Sequence, residues 1–142
     1  MPRMRLLPLP LLLLLLCPLV MAMGFGDSNA PTRIPEPQAN YRGLVVDQEG
    51  TRVDLTQVAV DGQTFVLGSL GQGQAAIPFD KVKTVELANQ GGVLKGKVSL
   101  KEGAPVELVM DGLLKLTGRT SFGNFRIPLA EVRSIEIQGL VR

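Results

Sequence analysis

The chain has 142 residues, with 15 Lys and Arg against 13 Asp and Glu, no His and one Cys. The commonest general base and metal ligand is therefore missing, and a lone Cys17 excludes an internal disulfide. Arg3 and Arg5 account for the basic excess, so residues 25–142 hold 13 basic and 13 acidic side chains, and the electrostatic footprint of a nucleic-acid or anionic-lipid binder is lacking.

Met1–Arg5 is a short positive stretch, and Leu6–Val20 holds ten Leu in fifteen residues. Ala22 and Gly24 offer small-residue cleavage points, which predicts a secretory signal peptide over residues 1–24. The apolar stretch is short for a ~30 Å hydrocarbon core and is interrupted by Pro8, Pro10 and Pro18. Membrane contact is expected only through this leader, if it stays uncleaved. Leu16 before Cys17 departs from the small residue of a bacterial lipoprotein signal. Residues 25–40 contain Pro31, Pro35 and Pro37 and no apolar period, and read as an extended or disordered linker.

Residues 42–88 and 95–138 align as an internal duplication with one gap, which predicts two repeats, 41–90 and 91–142. Fourteen identities lie in register, among them Gly43/Gly96, Leu55/Leu108, Asp61/Asp111, Gly68/Gly118, Ile77/Ile127, Pro78/Pro128, Val82/Val132 and Glu86/Glu136. Turn glycines recur in any hairpin-rich chain, but Ile-Pro-x-x-x-Val-x-x-x-Glu does not.

Each repeat reads as about five short strands. Gly50 and Gly103 close a first hairpin, and Asp61-Gly62 and Asp111-Gly112 are expected to close a second. Val53 and Leu55 change parity to Val58 and Val60, which predicts a β-bulge near Thr56–Gln57. Val106, Leu108 and Met110 share a face, and Leu114 and Leu116 continue it, alternating with Lys115 and Thr117. Pro78 and Pro128 fall late in a strand, and the phase change at Val82 and Val132 calls for a short turn after them. Glu86 and Glu136 face outward. Val132–Val141, near the chain end and with few charges, is expected to be an exposed sheet edge.

The fold class is all-β. Two tandem ~45-residue β-meander repeats form either a shared pseudo-symmetric barrel or sandwich, or two small SH3-like barrels. The small size of one repeat favours the shared core. The pattern from Asp111 to Glu136, Asp-Gly-x3-Leu-x-Gly-x4-Gly-x3-Ile-Pro-x3-Val-x2-Ile-Glu, resembles short β-repeats of bacterial envelope proteins. It is also similar to the curled strands of Sm-like and SH3-like small barrels. The resemblance implies a small barrel or sandwich in a bacterial envelope and carries no catalytic or ligand residues.

The Gly68–Gly73 stretch precedes a strand rather than a helix, so it reads as a hairpin turn and not a phosphate loop. The most distinctive loop runs from Arg119 to Arg126. Phe122 beside Gly123, flanked by Arg119, Asn124 and Arg126, can anchor a partner or stack on a sugar or base. Asp47, Glu49, Asp54, Asp61 and Asp111 make no calcium loop, and no Ser-x-x-Lys or Gly-x-Ser-x-Gly motif occurs. These readings predict an exported, periplasmic or extracellular, non-enzymatic binding module. No cofactor or metal is called for. The expected partner is an envelope protein or polymer. The alternative is a self-assembling subunit, a ring or filament of homo-oligomers joined by strand edges. An enzyme without His or Cys is a third, weaker reading.

Overall fold

The alternating apolar residues of both repeats form strands throughout the computed structural model, which describes residues 33–142. The first repeat supplies β1 (Tyr41–Asp47), β2 (Arg52–Val60), β3 (Phe65–Leu70), β4 (Gly73–Pro78) and β5 (Val82–Gln90). The second supplies β6 (Val93–Leu100), β7 (Val106–Met110), β8 (Lys115–Thr120), β9 (Gly123–Pro128) and β10 (Val132–Leu140). The predicted leader and residues 25–32 of the predicted linker lie outside the described residues.

The strands join one antiparallel sheet, in the order β4-β3-β7-β6-β5-β10-β1-β2-β8-β9, that curls into a half-barrel. Exchanging the two repeats reverses this order onto itself. The pseudo-twofold axis falls between β5 and β10, where the equivalent residues Val85 and Ile135 are register partners. The buried side chains of both repeats form one hydrophobic cluster, from Val45, Leu55 and Phe79 to Leu108, Leu129 and Ile137. The two repeats thus share a core, and two separate small barrels do not form.

The sharing is achieved by exchange. The Gly50 and Gly103 hairpins form as the sequence predicts, both glycines having positive φ (90° and 94°). The second predicted hairpin does not. At Asp61-Gly62 the chain does make a tight turn, with φ of 51° and 75° and mutual backbone hydrogen bonds between Val60 and Gln63 at 2.9 Å. Beyond that single bridge β2 and β3 part: β2 pairs with β8 of the second repeat, and β7 pairs with β3 of the first. At Asp111 the turn is an Asx type, with the Leu113 N–H donating to Asp111 Oδ1 at 2.9 Å. Turn chemistry fixes a reversal of direction, but the ladder partner is chosen by burial across the whole sheet.

Glycine makes the exchange sterically feasible. A Cβ on Gly68 would sit 2.7 Å from the Leu108 Cβ, and one on Gly118 would sit 2.9 Å from the Leu55 Cβ. In each half, therefore, a leucine of the second strand fills the space beside a glycine of the opposite repeat.

The same exchange displaces the expected edge. β10 pairs with β1 on one side and β5 on the other, so Val132–Val141 includes a central strand and not an edge. The free edges are β4 and β9. Its low charge reflects burial between neighbours on both sides.

The parity change in β2 is a bulge. Its register slips between Thr56 and Ala59, and Gln57 takes a φ of 51°. The Gln57 N–H released by the bulge donates to Asn40 Oδ1 at 2.8 Å. Pro78 and Pro128 end their strands and lead into 3-10 turns, Phe79–Lys81 and Leu129–Glu131, that turn Phe79 and Leu129 into the core. Phe79 meets the Tyr41 ring edge-on, with centroids 5.5 Å apart.

Two predictions follow from the packing. Gly68→Ala or Gly118→Ala forces a methyl against a buried leucine and should cost about 1–3 kcal/mol of stability, measured by urea denaturation. The same substitution at exposed Gly123 has φ strain but no clash within 4 Å; a cost that matches it would remove the packing argument. Tyr41 supplies the second. Its burial, with the Asp80 carboxylate nearby, holds its phenol above the ordinary value of 10.0. The native state then keeps a proton that the unfolded chain gives up, so this stability is intact below pH 10 and is lost as pH rises beyond it. Tyr41→Phe should reduce the alkaline fall in the denaturation midpoint relative to the parent chain.

Candidate functional site

The outer face of the sheet, away from the core, carries the side chains that strand alternation turns from the cluster. Around β1 and β2 these are Arg42, Leu44 and Val46, and Arg52, Asp54 and Thr56. Register pairs Leu44 with Asp54, Val46 with Arg52, and Thr56 with Arg119. Arg119 in turn faces Asn124 across the β8–β9 hairpin. Extending the β1–β2 register places Arg42 opposite Thr56. Arg42 and Arg119 therefore stand on one row, two strand spacings or about 10 Å apart at the backbone.

The β8–β9 hairpin projects beyond this row. Its turn is held by the Phe122 N–H donating to Thr120 Oγ1 at 3.1 Å, and by that hydroxyl donating to the Gly123 carbonyl at 2.8 Å. With its backbone so fixed, the Phe122 ring stands 87% exposed. Phe125, three residues on, packs against the core instead. Arg42, Arg52, Asp54, Arg119, Phe122 and Gln138 line a groove of about 890 Å³. A second hollow of about 250 Å³ shares Arg42 and Gln138 with it and reaches Arg142.

Of the four residues singled out from the sequence, the structure places Arg119 and Phe122 in this groove. Asn124 shares a face with Arg119, at the neighbouring position on edge strand β9. Arg126 has a different setting. It pairs in register with Thr117, which pairs with Ala59, and its Nη2 donates to the Arg33 carbonyl at 2.8 Å. Pro35 lies against Gly62, and Asn40 holds the β2 bulge. Residues 33–40 thus lack regular structure yet are tied to β2 and β9. Next to these ties, Ala59 and Thr117 are buried, although alternation turns both away from the core leucine and valines of their strands. The Thr117 hydroxyl and the Gln57 side-chain oxygen there have no hydrogen-bond partner.

Sequence reasoning missed Arg42, Arg52, Arg142 and Gln138. Alternation marks Arg42, Arg52 and Gln138 as outward-facing, and Arg142 follows the end of β10, but only the exchanged strand order brings β1, β2, β8 and the end of β10 to one place. Glu86 and Glu136 are exposed on the neighbouring strands β5 and β10, where Glu86 pairs in register with Ser134 and Glu136 with Thr84, so the two carboxylates are not register partners. Among the described residues no group of three or more His, Cys, Asp or Glu could hold a metal ion, and no helix is long and apolar enough to cross a membrane.

The pseudo-symmetric place in the other half is a smaller groove of about 520 Å³, lined by Glu86, Lys95, Lys97, Glu107 and Arg133 among others. Three of these five charged groups are engaged. Lys95 meets Glu107 at 3.7 Å, and Arg133 Nη2 donates to the Gln48 carbonyl at 2.7 Å. Ser69 and Gln72 stand where the first groove has Arg119 and Phe122. The two halves share a backbone plan and differ in this surface.

A family described as "Uncharacterised protein" matches residues 37–139. The chain belongs to that family. The match spans all ten strands apart from the last residue of β10. No curated protein and no solved structure matches the chain.

Proposed function

We propose that this protein is an exported, non-enzymatic β-repeat module that binds a partner in the bacterial cell envelope through the groove beneath the β8–β9 hairpin. The observation that carries this reading is the Phe122 ring. A large aromatic side chain, 87% exposed, is held on a hydrogen-bonded turn at the mouth of the larger groove. Such a ring gains most when a partner covers it, and a pre-set turn lowers the entropic cost of doing so. Its counterpart Gln72 carries no such ring. The envelope location rests on the signal-like leader and on the resemblance of Asp111–Glu136 to envelope β-repeats.

The reading predicts that the chain is retained with the envelope fraction of its cells. Phe122→Ala, at an exposed position, should leave the fold intact and shift most of the chain into the soluble fraction. A folded variant that stays with the envelope as fully as the parent chain would overturn the assignment.

Self-assembly is a second reading with an observation of its own. The two-residue turn Gly71-Gln72 makes Leu70 and Gly73 a hydrogen-bonded pair, so the Gln74 and Ala76 N–H and C=O groups point away from β3. β4 carries no charge, whereas the equivalent edge β9 carries Arg126. An uncharged edge is a template for another strand. Light scattering across a concentration series decides between the readings. A concentration-independent monomer removes self-assembly. An oligomer that Ala76→Lys dissociates establishes it.

A further inference from the structure

We infer that the groove takes an acidic polysaccharide, a carboxylate-bearing glycan chain, an inference that rests on the binding reading above and names its ligand class.

Four arginines, Arg42, Arg52, Arg119 and Arg142, line the larger groove and the hollow that shares Arg42 and Gln138 with it, and Asp54 is the one acidic side chain among their lining residues. None of the four makes an ion pair with another described residue. Unpaired guanidinium groups set along a track fit a ligand with several separated anions. The planar fork of each matches a carboxylate in two hydrogen bonds. The equivalent groove has Lys95 closed on Glu107 instead.

The floor of the groove selects among polyanions. β1, β2 and β8 are paired on both sides, so no backbone edge is free there to pair with an extended peptide. Recognition must come from side chains. Gln138, Thr56 and Ser121 offer amide and hydroxyl groups for sugar hydroxyls, and Phe122 offers a ring face for a pyranose. One aromatic cannot supply the successive stacking platforms of a single-stranded nucleic-acid binder.

The test measures binding of the purified full chain to oligogalacturonate by calorimetry, beside four comparisons. These are the methyl-esterified oligomer, polyglutamate, a single-stranded oligodeoxynucleotide, and Phe122→Ala in the envelope-retention assay. Oligogalacturonate should bind, and Arg42→Gln and Arg119→Gln should each weaken it about tenfold. Lys97→Gln, in the other groove, should leave it unchanged. All three positions are solvent-facing, and the variants' circular dichroism and melting temperature check their fold. Equal binding of the methyl ester would overturn the carboxylate assignment. Tighter binding of polyglutamate or the oligonucleotide would overturn the glycan assignment, as would no binding of oligogalacturonate at millimolar concentration. An equal loss in Lys97→Gln would show charge attraction without a site. In each of these cases, envelope retention that still depends on Phe122 leaves the groove standing as a binding site with a different ligand. Loss of that dependence removes the site itself.

Discussion

A leucine side chain seated beside a glycine of the opposite repeat is the contact on which this architecture depends. Leu108 meets Gly68, and Leu55 meets Gly118. A repeat of about 45 residues buries too little apolar surface to stand alone without disulfides or metal. Exchange answers that shortage by giving β3 of one half and β8 of the other a ladder partner across the axis. The glycines let the exchanged strands approach without displacing the leucines that fill the core. The rest is geometrical consequence. β5 and β10 come to the centre, the β3–β4 and β8–β9 hairpins go to the two ends, and the first and second strands of each half form the floor between.

The pseudo-symmetry then becomes a frame against which departures stand out. Three of them gather on one side of the molecule. The three-residue insertion in the first repeat becomes the bulge at Gln57, and Asn40 satisfies its free N–H. Residues 33–40 are tied alongside through Arg126 and Gly62, an arrangement for which the second repeat, preceded by the Gly91-Gly92 turn, has no counterpart. The hairpin beyond carries Arg119 and Phe122 where its twin carries Ser69 and Gln72. The insertion does not weaken the core, since Val58 and Val60 return to it after the bulge. What it changes is the course of β2 beside Arg119, and so the shape of the groove.

Much of the local structure was legible in the sequence because it depends on near neighbours. Alternation located the strands, the parity change located the bulge, and the Pro-plus-phase-change rule located the 3-10 turns at Phe79 and Leu129. The pairing of those strands was not legible. Asp61-Gly62 has the residues of a hairpin turn and makes one, but its hydrogen-bonding demand is met by the single Val60–Gln63 bridge. Nothing local obliges the following residues to stay paired. The mistaken edge at β10 has the same origin, since a strand's place in a sheet is a property of all the others. The site divided along the same line. Phe122 and Arg119 were legible because one loop holds them. Arg42, Arg52 and Arg142 were not, because they are scattered over 101 positions of the chain and meet only through the exchanged order.

Charge shows the same contrast between sum and arrangement. Residues 25–142 balance to zero, which argues against a partner read by the field of the whole molecule. Yet a field at physiological ionic strength decays over about 8 Å, less than the width of two or three strands. Acids on the opposite half of the sheet therefore contribute little at the Phe122 groove. What acts there is the local set of four guanidinium groups against Asp54. Formal neutrality and a basic groove coexist because the duplication lets one half neutralise its own surface, as Lys95 and Glu107 do, while the other leaves its arginines open. A ligand short enough to stay within one half meets only the second.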